Sequence, residues 1–211
     1  MWSPFDLCNF EEVELPSDVV QPENRCIPVR LLPYLFLGGI NTIGDFDTLR
    51  DLEITNILDV SDPFPGHLPR FPHDFTVTRV TGGCRFLHNV ANNFKFIEKL
   101  LQSVKEKKQR ILIFEFCPTS DRSSLVCAMH MIANCPSLSV QQVLDQIHLR
   151  NKGIEASAHR RTAVRALLDA FKDGSWPGTD SVTLLDQMLA EEISAETSQH
   201  FPYTHMALDP M

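Results

Sequence analysis

Cys117 is the residue of this chain whose setting points most directly to chemistry. It follows the apolar run 110-RILIFEF-116 and precedes a short loop, 118-PTSD-121, and the segment 122-RSSLVCAMHMI-132. A cysteine between a central strand and a helix lies where free backbone N–H groups and the positive end of the helix dipole converge. That setting binds anions, and it lowers a thiol pKa, which makes a nucleophile. The ordinary alternative is a buried structural thiol, and position alone leaves both open. Cys84, in 80-VTGGCRFLHN-89, has no obvious base beside it and reads as a bystander or a weak redox target.

The elements that would position Cys117 can be read from hydrophobic period. The stretch 31-LLPYLFLGG-39 is a short apolar strand stopped by paired glycines. In 42-TIGDFDTLRDL-52, Ile43, Phe46, Leu49 and Leu52 recur at three and form one helical face. Two strands follow, 54-ITNILDV-60 and 75-FTVTRV-80, around the Pro-rich loop 61-SDPFPGHLPRFPHD-74. The alternation of the second strand implies one buried face. From Asn89 a long helix carries Val90, Phe94, Ile97, Leu101 and Val104 on one stripe. The run 110–116 lacks clean alternation until its end, which makes it a central strand covered on both faces.

Three helical segments come after the loop: about 122–134, then 139–151 opened by Ser139 and Gln142 as a capping box, then 157–173 with Val164, Leu167, Leu168 and Phe171 on one face. Ser123 and Ser124 fall where they would help cap the first of these. Strand, helix, strand, strand, helix, strand and helices in that order predict an α/β fold of three layers, a twisted, mainly parallel sheet with helices on both faces.

A chain of 211 residues has room for one domain with a real core and short extensions. The domain is expected over 28–173, preceded by an arm over 1–27 and followed by an extension over 174–211. In that extension, 180-DSVTLLDQMLAEEI-193 places Val182, Leu185, Met188, Leu189 and Ile193 on one stripe, for packing on the body or for a partner. The formal net charge of -8 supplies no basic field to draw nucleic acid or anionic lipid. The basic run 105-KEKKQR-110 suits the negative end of a helix. No C-x-x-C pair occurs and the histidines miss metal-ligand spacing, so neither a metal nor another cofactor is expected. No apolar run approaches a membrane span. Scattered, unpaired cysteines fit a reducing cytoplasmic, or nuclear, setting.

The order of these elements, together with 31-LLPYLFLGG-39, 54-ITNILDVS-61, 94-FKFIEKLL-101 and 122-RSSLVCAMHMI-132, resembles the small dual-specificity phosphatases over roughly residues 28–172. The resemblance implies the motif His-Cys-x-x-Gly-x-x-Arg-Ser, in which the loop wraps a phosphate with N–H groups and the arginine binds two oxygens. Cys117 and Arg122 are only five apart, one short of that spacing. Anchored on Arg122 and Ser123, the motif puts Phe116 at the nucleophile, Glu115 at the histidine and Thr119 at the glycine. Anchored on the strand 111-ILI-113, it puts Phe114 at the histidine and Glu115 at the cysteine. Neither alignment places a thiol where the family has one.

Further departures accumulate. Thr119 resists the positive φ that a glycine allows, Pro118 has no N–H to offer, and Asp121 and Glu115 bring negative charge. The family's general acid is an aspartate from the loop before the long helix, and no Asp occurs between Phe75 and Ser120. The resemblance therefore implies a catalytically silent member, similar to the STYX-type pseudophosphatases, that binds proteins such as kinases or phosphoproteins. The remnant loop Cys117, Pro118, Thr119, Ser120, Asp121, Arg122 and Ser123 is the candidate binding site, where Arg122 either holds an oxyanion or pairs with Asp121, Glu115 or loop carbonyls. The rivals are an active phosphatase using Cys117 in an atypical loop, a binding module working through its terminal segments, and a thiol-based sulfur carrier.

Overall fold

The computed structural model describes residues 27–39, 42–61, 71–80, 86–115, 122–150, 161–176 and 178–200. The first strand expected from sequence is two. β1 (Val29–Leu32) and β2 (Leu35–Gly38) form an antiparallel hairpin. Pro33 accounts for the break, since it has no N–H to continue a ladder and its fixed φ suits a turn. A short 3-10 turn, Thr42–Gly44, then leads to α1 (Phe46–Asp51). The continuous helix expected over 42–52 is divided at Asp45, whose carboxylate accepts from the Thr48 N–H at 3.1 Å and starts α1 afresh.

β3 (Ile54–Asp59) and β4 (Thr76–Arg79) follow, then α2 (Phe86–Glu106), which begins three residues before the expected Asn89. β5 (Arg110–Phe114) enters the centre of a sheet ordered β1-β2-β5-β3-β4, with every pairing except β1–β2 parallel. After it come α3 (Arg122–Asn134), α4 (Val140–Arg150), α5 (Thr162–Lys172) and α6 (Thr179–His200). The capping box of α4 forms as read: the Ser139 N–H donates to Gln142 Oε1 at 2.8 Å, and the Gln142 N–H donates to Ser139 Oγ at 3.1 Å.

The central strands β2 and β5 are apolar on both faces. Ile111 and Ile113 of β5 join Leu35, Leu37 and Leu58 in the larger core, beneath α2–α6. Leu112 and Phe114 point the other way, into a smaller core with Phe36, Leu49, Ile57 and Phe75. The alternation of β5 is thus between two buried faces, as a central strand requires, while β4 lies at the edge with no buried residue. Each fully buried Leu or Ile contributes roughly 1.5–3 kcal/mol, and the strands and the helices over them supply such residues together. α6 packs against α2 and α5 and adds Val182 and Leu189 to the larger core.

A polar chain crosses that core. The Tyr34 hydroxyl lies 2.6 Å from His130 Nε2, and His130 Nδ1 lies 2.6 Å from Glu98 Oε2. One tautomer satisfies both contacts, with Tyr34 donating to Nε2 and Nδ1–H donating to Glu98. Gln102 and Asn134 donate to Glu98 Oε1 at 2.9 and 3.1 Å. The β1–β2 turn, α2 and α3 are therefore tied through one wholly buried imidazole.

Burial, helped by the Glu98 charge, raises the Tyr34 hydroxyl well above its ordinary pKa and keeps it a donor. Burial also opposes ionisation of Glu98, but the hydrogen bond from His130, with those from the amides of Gln102 and Asn134, outweighs it and leaves Glu98 below its ordinary value. A depressed folded pKa contributes stability that is present above the unfolded value of about 4.3 and is lost as pH falls through the folded value. Replacing Tyr34 by Phe removes the proton donated to His130 and is expected to cost about 1–3 kcal/mol in urea unfolding at neutral pH. Glu98→Gln is expected to flatten the loss of stability below roughly pH 5, read from the same unfolding curves taken across pH.

Candidate functional site

Parity decides where the chain turns after β5. Ile111 and Ile113 face the α3 side, and Glu115, two residues on, continues that alternation. The Glu115 N–H donates to the Gly38 carbonyl at 3.1 Å, which extends the sheet contact by one residue. Its side chain is 4% exposed. Glu115 Oε2 accepts from the Ser123 N–H at 3.0 Å and from the Ser123 hydroxyl at 2.8 Å. A carboxylate of this chain therefore rests on the first turn of α3, where the dipole and the unsatisfied N–H groups favour an anion.

This changes the reading of Ser123. Instead of capping with its own hydroxyl, Ser123 gives both its N–H and its O–H to Glu115. Its place inside the first turn explains this, because its side chain points back toward the strand end from which the helix rises.

Arg122, the first residue of α3, is also buried. Its guanidinium carbon lies 4.6 Å from the centroid of the Phe86 ring, a cation–π contact that joins the start of α3 to the start of α2. At the end of β3, Asp59 ties that strand to β4: its Oδ2 accepts from Arg79 Nε at 3.1 Å, and its Oδ1 accepts from the Ser61 N–H at 3.0 Å.

Two residues of this region had no role in the sequence reading. Phe86 had none because the helix was expected to begin at Asn89. Asp186 of α6 places Oδ1 2.7 Å from the Leu87 N–H and Oδ2 3.1 Å from the His88 N–H, so it caps α2 from a hundred residues away. A signal for Asp186 was present, because it lies four residues after Val182 and three before Leu189, on the apolar stripe of its helix. An acid there is buried, and a buried acid needs donors.

Of the sequence-predicted site, Glu115, Arg122 and Ser123 are brought together at the start of α3. Phe116, Cys117, Pro118, Thr119, Ser120 and Asp121 lie outside the described residues, as does Cys84. Among the described residues no group of three or more His, Cys, Asp or Glu is placed to hold a metal ion. No described helix is long and apolar enough to cross a membrane.

No family model matches this chain, and no curated protein matches it. Solved structures do. The human tyrosine phosphatase-like serine/threonine/tyrosine-interacting protein is 15% identical, with a TM-score of 0.60 over 72% of this chain and 99% of that one. Human DUSP28 is 19% identical, with a TM-score of 0.57 over 71% of this chain and 95% of that one. A mouse putative dual specificity phosphatase, solved with zinc tungstate, is 19% identical, with a TM-score of 0.57 over 76% of this chain and 93% of that one. The fold is thus that of the dual-specificity phosphatases, as the sequence resemblance implied.

Glu115→Ala removes a buried acceptor of two hydrogen bonds and is expected to lower stability by about 2–4 kcal/mol, since bonds to a charged group contribute about 1.5–3 kcal/mol each and are not additive. Ser123→Ala keeps the N–H bond and should cost about 1 kcal/mol. A double-mutant cycle on Glu115 and Ser123 should give a coupling of about 0.5–3 kcal/mol in urea unfolding.

Proposed function

We propose that this chain is a pseudophosphatase, a dual-specificity-phosphatase scaffold that binds proteins without turning over phosphate. The observation that carries the reading is the Glu115 carboxylate on the first turn of α3. It supports the alignment that anchors on the strand and sets Glu115 at the position of the family's cysteine. Thiolate and carboxylate are both anions that a helix start accepts, but a carboxylate spent on two internal donors makes a poor nucleophile.

Two further observations agree. The Arg122 guanidinium lies against Phe86, a stacking that commits one of its faces. The loop where the family carries its acid has no aspartate. Asp186 reaches the start of α2, but both its oxygens accept from backbone N–H groups, and a proton to donate would have to displace one of them. The reading makes the partner a protein, such as a kinase or a phosphoprotein, met in the cytoplasm or nucleus. The buried free thiols of Cys127 and Cys135 suit such a reducing setting.

An aryl phosphate assay tests the reading. The wild-type chain and Cys117→Ser are both expected to show no turnover above the blank. Turnover in the wild type that the substitution abolishes would make Cys117 a nucleophile in an atypical loop and the chain an active phosphatase.

A further inference from the structure

We propose that α6 is an intramolecular strap that sets the α2–α3 end of the sheet, with Asp186 as the positioning residue that holds the start of α2 and, through Phe86, the guanidinium of Arg122. This rests on reading the α2–α3 end of the sheet as the working surface of a binding protein, and it adds how that surface is held in shape.

α2 is a helix of 21 residues, yet its own sequence gives its start little help. No acid lies in its first turn, and Arg85, immediately before it, is not among the residues that cap well. Its first N–H groups have no partner within the helix. Asp186 supplies two acceptors at 2.7 and 3.1 Å, to Leu87 and His88. The carboxylate is 7% exposed, so water is a poor substitute for it.

Phe86, directly before Leu87, is the ring over which Arg122 lies at 4.6 Å. The path from α6 to the arginine is therefore two contacts joined by one step of backbone: carboxylate to the Leu87 N–H, and the ring of Phe86, the residue before, to the guanidinium. The same helix finishes α5, whose N-cap residue, Arg161, makes no side-chain capping bond. There Glu192 Oε1 accepts from the Thr162 N–H at 3.0 Å. Val182 and Leu189 fix α6 to the core on either side of Asp186, which sets the carboxylate's depth.

If α6 is displaced, or its carboxylate is lost, the first turn of α2 must find other acceptors. The Phe86 ring then loses its fixed position, and Arg122 is freed from it. Docking of α6 and the state of Arg122 are thus one equilibrium, available to anything that competes for α6.

The test uses the full chain with Asp186→Ala and Asp186→Asn. It reads amide exchange at Leu87 and His88 together with the Arg122 Nε–H resonance, which the Phe86 ring shields. Asp186→Ala is expected to speed exchange at both amides about tenfold or more, the size of losing a charge-assisted bond, and to move the Arg122 resonance. Asp186→Asn keeps one acceptor and should fall between. Phe86→Leu should move the arginine resonance while leaving the two amides protected. Faster exchange with an unmoved arginine would reduce Asp186 to a local cap and overturn the proposal, as would unchanged exchange. If the alanine variant does not fold, the asparagine variant decides by the same two readings. Turnover of aryl phosphate by the wild type sinks the pseudophosphatase reading on its own, and an unmoved arginine sinks the strap alone.

Discussion

Each helix of this fold starts with backbone N–H groups that the helix cannot satisfy itself, and where those groups find acceptors decides which parts of the chain depend on one another. α1 and α4 are served locally, by Asp45 and by the Ser139–Gln142 box. α2, α3 and α5 receive carboxylates from afar: Asp186, Glu115 and Glu192. Local caps make a helix start independent of the rest of the molecule. Distant caps make it a consequence of tertiary structure, and two of the three come from α6.

For the cleft, the same contacts settle a balance of charge. A carboxylate at the start of α3 already uses the favourable end of the dipole, a contribution of about 0.3–1 kcal/mol at an exposed site and up to about 2 when partly buried. A phosphate approaching within about 4 Å of that carboxylate meets a repulsion of about 4 kcal/mol at an effective dielectric near 20. That is comparable with what one or two charge-assisted hydrogen bonds return. An oxyanion at this place must therefore compete with Glu115 before it gains anything from Arg122.

Much of the architecture was legible in the sequence because it depends on local period. The central place of β5 followed from its unbroken apolar run and the α4 start from Ser139 and Gln142, while the alternation of β4 gave a half-covered strand and not its place at the edge. Errors arose where a single residue outweighs the period, as Pro33 does in dividing β1 from β2 and Asp45 in dividing the 3-10 turn from α1. The start of α2 was misplaced for a different reason. Its cap, Asp186, is a hundred residues away, and no local rule places a helix start whose acceptor belongs to another helix. Within the site, the spacing of Cys117 and Arg122 and the acidity of Glu115 were legible. The contact of Glu115 with Ser123, and of Arg122 with Phe86, required the fold.

The buried chain Tyr34–His130–Glu98 holds the scaffold together away from the end of β5. It joins the β1–β2 turn, α2 and α3 within the larger core and takes nothing from Glu115, Arg122 or Ser123. A half-satisfied buried network would be costly, so its residues are constrained by the fold itself, whatever happens at the strand end. Glu115 and Ser123 meet a separate demand, that of the α3 start for an acceptor. The Glu115 carboxylate is that acceptor, and so this end of the sheet is held by its own contacts rather than by the Tyr34–His130–Glu98 chain.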